Sequence, residues 1–334
     1  STGERGAMTL LAIAIAALGR QAISLTGSQC GIITDHQHGR ARIVEVRPFR
    51  VLDELAAGHI VIVGGFQGVS YKREVTTLGR GGSDTTAVAL AASIGADCEI
   101  YSDVDGVYSA DPREVADAVR LDALSYGEMQ ALARAGAKVL HAQAVQLAEA
   151  RGIAIYARHS HPDVRGETVI RRNPAAVAGV RAVTSDPSAL VVRLSLRAGL
   201  FRHVPTLIHE VGPLGLRYLR IDERGAAGFL SQTQRTDSGE VLARLGALAR
   251  RLAGDLAALE CREDVALVSC IGSGLEDNPE LVHRACERLH TAEVAVRELH
   301  SDTHSLAFVV PTAHRVRAVQ ILHAAFVARA SAAA

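Results

Sequence analysis

Short apolar runs alternate with longer stretches of helical spacing through the first half of the chain. Strands are predicted over 22–25, 42–46, 59–64, 99–102 and 153–157. Helices are predicted over 8–18, 49–57, the Ala-rich segment after Asp84, 125–135 and 139–150. Gly58, Gly136 and Gly152 stand where helices stop. Strands that alternate with helices imply a largely parallel sheet covered on both faces. A Pro- and Gly-marked stretch over 158–180 closes this part of the chain.

From Ala189 the texture changes to two related blocks. The second reads as strand 265–271, a Gly272-Ser273-Gly274 turn, helix 279–289, strands 295–299 and 306–310, and a last helix 314–327. The first has the same order, with strand 190–196, helix 204–211 and strands 216–221 and 228–232, and a helix over 240–259 joins the two. Periodicity alone describes an α+β region with an internal duplication.

Composition narrows the class. A chain of 334 residues, 48% hydrophobic, buries a large core and forms two or more domains. Lys+Arg and Asp+Glu both number 36, so nothing points to nucleic acid or an anionic membrane. The 8–18 apolar run is too short to span a bilayer and reads as a buried helix. Five cysteines, at 30, 98, 261, 270 and 286, contain no Cys-x-x-Cys pair and read as buried, reduced thiols of a cytoplasmic protein.

Candidate chemistry concentrates in Thr76-Thr77-Leu78-Gly79-Arg80-Gly81-Gly82-Ser83-Asp84, between a buried strand and a helix. Glycines here let the backbone approach a ligand, and helix N–H groups can face an anion; a plain tight turn has the same composition. A second polar turn, Ser102-Asp103-Val104-Asp105-Gly106-Val107-Tyr108, follows the next strand and leads to Asp111-Pro112-Arg113. Ligands in α/β folds gather at such carboxyl ends of strands. Asp35, His36 and His38 lie close enough to suggest a metal, yet two histidines in a polar turn are ordinarily solvated, and no metal site is assigned.

These two turns, with Gly65-Phe66-Gln67-Gly68 before them and Gly136-Ala137-Lys138-Val139-Leu140-His141 after them, resemble the aspartate kinases of the amino-acid kinase family. Departures include Ala142 for the usual proline, Cys30 for a common alanine and Ser102 for threonine. The resemblance implies an α/β fold: an amino-acid-kinase-like, mostly parallel sheet sandwiched by helices, N-terminally incomplete, over 1–182. Two βαββα ACT-like regulatory domains would follow over 183–334. It also implies transfer of the ATP γ-phosphoryl to the side-chain carboxylate of L-aspartate, with Mg²⁺ on the phosphates. This is the first step toward lysine, threonine and methionine.

By the same resemblance Arg80 and Asp84 are catalytic. Glu4, Thr34, Phe66, Arg80 and Ser83 bind the substrate, and Gly81, Gly82, Ser102, Asp103, Tyr108, Arg113, Lys138 and Val139 bind the nucleotide. Taken singly, Glu4 is also a good first-turn residue, Lys138 a good helix-end cation, and Asp111-Pro112-Arg113 an ordinary turn. The family's Lys-Phe-Gly-Gly segment is not among these residues. The expectation is a fragment of an aspartate kinase, with a catalytically silent regulatory homologue as the alternative. An allosteric amino acid, lysine rather than threonine, is expected at Gly272, Ser273, Gly274, Leu275, Asp302 and Ser305, in a homodimer formed through the ACT domains.

Overall fold

The computed structural model describes residues 2–79, 81–137, 139–172, 174, 178–197, 200–211, 216–222, 225–231, 238–276 and 278–327. Two compact units result: Ser1–Val107 with Arg120–Ala176, and Tyr108–Val119 with Val177–Ala334.

The first unit opens with α1 (Thr2–Ala17), β1 (Ala22–Leu25), β2 (Ile32–Thr34), β3 (Ile43–Val46), α2 (Phe49–Ala56) and β4 (Ile60–Val63). It continues with β5 (Gln67–Ser70), β6 (Val75–Thr77), α3 (Gly82–Ile94), β7 (Cys98–Ser102), β8 (Ala123–Leu124), α4 (Tyr126–Arg134), α5 (Ala142–Arg151), β9 (Ile155–His159) and β10 (Glu167–Ile170). Three small sheets form among the described residues, ordered β1-β4, β3-β2-β5-β6 and β7-β9-β10-β8. Their pairings are parallel for β1 with β4, β2 with β5, β7 with β9 and β8 with β10. They are antiparallel for β2 with β3, β5 with β6 and β9 with β10. The parallel majority follows from helical crossovers, and the antiparallel pairs from short returns that need none. β10 lies inside the stretch expected to be irregular, where its Thr168 and Ile170 are fully buried.

Expected helix ends agree closely with the structure where a cap is readable. Ser125 accepts from the Glu128 N–H while the Glu128 carboxylate accepts from the Ser125 N–H, a reciprocal box that starts α4. The helix expected from 139 starts instead at Ala142, because His141 is extended. α1 is also not the buried helix that its composition suggests. Its apolar residues encircle the axis, and Met8 is its one buried side chain, while Leu10 and Ile13 are 69% and 61% exposed.

The second unit contains β11 (Gly179–Leu196), α6 (Val204–Val211), β12 (Leu216–Asp222), β13 (Gly225–Ser231), α7 (Ser238–Arg251), β14 (Leu256–Ser273), α8 (Pro279–Thr291), β15 (Glu298–Asp302), β16 (Ser305–Pro311) and α9 (Arg315–Phe326). The expected joining helix is shorter than the pattern suggests, since 256–259 already belong to β14, and the strand expected over 295–299 falls at β15. One sheet runs β12-β13-β11-β14-β16-β15. β11 and β14 are shared by both blocks: their paired stretches at 189–196 and 256–265 complete the first, and those at 179–186 and 267–273 complete the second. The blocks therefore interlock. The pairing shifts register between Asp186 and Ala189, around Pro187, where a residue with no N–H to give the ladder is tolerated.

Each block has its own core. Leu190, Val192, Leu207, Leu230, Leu245 and Leu248 pack together in the first. Val183, Val268, Leu289, Leu306, Phe308 and Leu322 do so in the second, joined by Ala110 and Val115 of the 108–119 segment. That segment is fastened along its length. Ser109 Oγ lies 2.8 Å from His323 Nε2, the Val183 N–H donates to the Ser109 carbonyl at 2.7 Å, and Arg315 donates twice to the Glu114 carboxylate at 2.7 and 3.0 Å.

Cys30, Cys98 and Cys270 are buried as expected, but Cys261 and Cys286 are exposed. Cys261 lies in the exposed run 260–264 of β14, and Cys286 lies off the face of α8 that buries Leu281, Ala285 and Leu289. Among the described residues no helix is long and apolar enough to cross a membrane.

Candidate active site

The glycine turn and α3 form one edge of the site. Gly81 sits at φ +68°, in the left-handed region, so that the chain reverses from β6 into α3 within a few residues. Its carbonyl accepts from the Thr85 hydroxyl at 2.9 Å, and the Gly82 carbonyl accepts from Thr86 at 2.8 Å. Thr86 Oγ1 in turn accepts from the Phe66 N–H at 3.2 Å, which ties the end of β4 to the head of α3. Phe66 is itself at φ +68°, an uncommon state for an aromatic residue, and its carbonyl accepts from the Leu78 N–H at 3.0 Å. A Cβ on Gly82 would press on the Phe66 ring at 2.9 Å, and one on Gly65 would touch Ser83 at 3.3 Å. Phe66, Gly82 and Ser83 are thus brought together.

Asp84 stands in the first turn of α3, where the helix dipole favours a carboxylate. Burial nonetheless raises its pKa above the ordinary value, an effect opposed by His141. His141 shows the reverse balance: burial lowers its pKa and Asp84 opposes the shift. The His141 side chain packs on the turn, close enough that a Cβ on Gly81 would meet its Cβ at 2.8 Å and its ring at 3.0 Å. Its Nδ1 is buried with no hydrogen-bond partner among the described residues. Cys98 lies near this pair; burial first, then Asp84 and Glu99, push its thiol up to about 11, so it is no nucleophile.

Other expected site residues fall in three groups. Glu4 is half-buried in the first turn of α1, whose neighbour Arg5 donates from Nε to Gln67 Oε1 at 3.4 Å. Thr34 is fully buried, and its hydroxyl is engaged with Thr76 Oγ1 at 2.5 Å and the Asp35 carbonyl at 2.9 Å. That hydroxyl is therefore committed within the protein.

Ser102 and exposed Asp103 end β7, with the Ser102 hydroxyl 3.2 Å from the Val104 carbonyl. Val139 is half-buried ahead of α5. Tyr108 and Arg113 belong to the second unit, where the Arg113 guanidinium grips Asp111 at 2.7 and 2.9 Å. Arg80 and Lys138 lie outside the described residues.

At one end of the second block the candidate effector residues converge. The Gly272 N–H donates to the His304 carbonyl at 3.1 Å, and Ser305 pairs with both Ile271 and Asp302. Ser273 and Gly274 (φ +69°) continue toward α8, where the Leu281 N–H donates to the Asn278 side chain at 3.0 Å. The Ser305 hydroxyl is 3.0 Å from the Tyr218 hydroxyl, and Leu275 is fully buried in the block core.

Gln67 and His141 lie within the motifs that flank the two turns, and the sequence assigns neither a role. Gln67 is 1% exposed and its Nε2 has no partner among the described residues, a buried donor that the sequence could not reveal. No group of three or more His, Cys, Asp or Glu side chains able to hold a metal occurs among the described residues. A divalent ion held by nucleotide phosphates and water asks for no such cluster.

A sequence profile of the Amino acid kinase family matches residues 1–158. The aspartokinase of Mycolicibacterium smegmatis is 37% identical over 338 residues, covering 98% of this chain and 80% of that protein. Among solved structures, E. coli aspartokinase III in complex with aspartate and ADP, in its R-state, aligns with a TM-score of 0.85 at 27% identity, covering 95% of this chain and 72% of that one. The same enzyme in complex with lysine and aspartate, in its T-state, aligns at 0.71 and 26% identity over the same shares. With such identity sustained across four-fifths of a relative's length, and with the glycine turn, Phe66 and Asp84 gathered at the head of one helix, the chain belongs to the aspartokinases of the amino-acid kinase family.

Proposed function

We infer that this chain is an ATP-dependent aspartate kinase, which passes the γ-phosphoryl group to the side-chain carboxylate of L-aspartate and forms 4-phospho-L-aspartate. The observation that carries this reading is the head of α3, where a left-handed Gly81, Ser83, Asp84 and the Phe66 ring gather, in a chain similar throughout to aspartokinases. An aspartate carboxylate oxygen bonds to the γ-phosphorus as the bond to the bridging oxygen of ADP breaks. The carboxylate is ionised at neutral pH, so no base must take a proton.

The work left to the protein is positioning and charge. N–H groups in the first turn of α3 meet the negative charge that spreads on the phosphoryl oxygens. Phe66 walls the substrate, and Ser83 and Glu4 take its polar ends. Arg80 clamps a substrate carboxylate, and Lys138, Val139, Ser102, Asp103, Tyr108 and Arg113 take the nucleotide, as the sequence suggests. Asp84, with His141 beside it, orients the groups around the turn. Mg²⁺, held by the phosphates and water, would neutralise part of their charge.

The proposed division of labour follows the order of the chain rather than the two units. Residues up to about 182 carry catalysis and those after it regulation, in a homodimer. Lysine is the proposed effector, at 272–275 and 302–305, supported by the lysine complex reported for the E. coli relative. ADP release with ATP, Mg²⁺ and L-aspartate, from this chain and from one extended upstream from its source gene, tests the activity. Turnover that requires aspartate and falls when lysine is added is the expected result. Aspartate-independent ATP hydrolysis would refute the activity, and indifference to lysine would refute the effector.

A further inference from the structure

The turn after β7 is held by a side chain that no motif singles out. Asp105 follows the candidate nucleotide residues Ser102 and Asp103, and its carboxylate accepts from Arg120 Nη1 at 3.0 Å. Arg120 stands far along the chain, yet its side chain lies over two glycines of the first unit. A Cβ on Gly166 would collide with the guanidinium, and one on Gly106 would meet Arg120 Cδ at 3.0 Å and Thr168 Oγ1 at 2.5 Å. Both glycines have φ +140°, a backbone state that L side chains rarely adopt. The slot is therefore closed to any residue with a side chain at 106 or 166, and the arginine fills it.

Thr168 completes the fastening. Its hydroxyl accepts from the Val107 N–H at 2.8 Å and donates to the Leu121 carbonyl at 2.6 Å, while the Leu121 N–H donates to the Val107 carbonyl at 2.8 Å. Arg120 Nε is buried with no partner among the described residues. Burial of that donor shows that packing, as well as the ion pair, fixes the guanidinium plane. Arg120 also lies 3.9 Å from Asp122, but that carboxylate is 93% exposed and screened. The Asp105 pair, with side chains 29% and 21% exposed, is the stronger contact.

We propose that Arg120 is a positioning residue for the nucleotide: laid across Gly106 and Gly166 and paired with Asp105, it fixes the turn from which Ser102 and Asp103 meet ATP. The inference rests on the aspartate-kinase reading. It adds to that reading the group that sets nucleotide affinity without touching nucleotide. Lysine cannot replace it, since a single ammonium reaches Asp105 but does not span the slot.

Steady-state kinetics with varied ATP and varied aspartate, together with melting curves, test it on the wild type, Arg120→Ala, Arg120→Lys, Asp105→Asn, the double variant Asp105→Asn with Arg120→Ala, and Gly166→Ala. Loss of one charge-assisted bond is expected to raise the KM for ATP about 10-fold in Arg120→Ala, and the KM for aspartate and kcat should stay within about 2-fold. Arg120→Lys should recover less than half of the loss. Asp105→Asn should add little in the Arg120→Ala background, because the two act as one unit.

Gly166→Ala keeps the arginine but displaces it, and should reproduce the ATP defect should Arg120→Ala prove poorly folded. An unchanged KM for ATP in folded variants, with only the melting temperature lowered, would make Arg120 a purely structural residue and overturn the proposal. A wild type without aspartate-dependent turnover would overturn the functional reading and the proposal with it.

Discussion

Asp84 and His141 form the most informative pair in the molecule, because each moves the other's pKa against the shift that burial imposes. Neither shift is visible in the sequence, where His141 is the last letter of a motif and Asp84 a favourable first-turn acid. The motif residues themselves were legible because catalytic loops are contiguous: Phe66, Ser83 and Asp84 fall where the turns predict. Arg120 and Gln67 were not legible, since their roles depend on partners brought near by folding, Gly166 for one and Arg5 for the other.

His323 gives a test at the same scale. It is 1% exposed, hydrogen-bonded to Ser109, and burial lowers its pKa, opposed by Asp117. A histidine whose folded pKa is depressed contributes stability that is intact above its unfolded pKa of about 6.5 and lost as pH falls toward the folded value. The loss approaches about 1.4 kcal/mol per pH unit for one proton. Melting temperature should drop between about pH 7 and pH 5.5 in the wild type, and drop less in His323→Gln, with 6.5 as the unfolded reference. Parallel curves for the two proteins would show that other groups, such as His141 or His300, govern the acid response.

Among the elements, those with local signals were read well and those without were not. α4 carries its start in Ser125 and Glu128, and α8 in Asn278 followed by Pro279. Replacing Ser125 by Ala should cost about 1 kcal/mol of stability, with Ser125→Thr recovering most of it, as measured by denaturant unfolding. An equal loss in both would place the effect in packing rather than in the cap.

β11 and β14 behave differently. Each is 18 residues long, and the polar run Glu260 to Asp264 and the Asp186-Pro187 step hide their continuity from any apolar pattern. Tertiary pairing overrides the local signal: Asp186 is fully buried yet satisfied by Arg217 at 2.7 Å, and the register shift absorbs Pro187.

For the whole molecule, the sequence predicts two consecutive regions, while the structure interleaves them. Strand 179–186 completes the second block although the first block follows it in the chain, and the 108–119 segment joins the second unit although its flanks belong to the first. Residues expected to bind one nucleotide, Ser102 and Asp103 on one side and Tyr108 and Arg113 on the other, consequently belong to different units. Contact order of this kind is invisible to local periodicity.

Phosphoryl transfer to a carboxylate at the head of α3 yields an acyl phosphate. Trapping with hydroxylamine separates that product from simple ATP hydrolysis. Wild-type protein with ATP, Mg²⁺ and L-aspartate should yield aspartyl hydroxamate, and Asp84→Asn, folded by its melting curve, should yield it at least about 100-fold more slowly. Hydroxamate formed at an undiminished rate by Asp84→Asn, or none formed by the wild type even when it is extended upstream from its source gene, would rule out phosphoryl transfer at this turn.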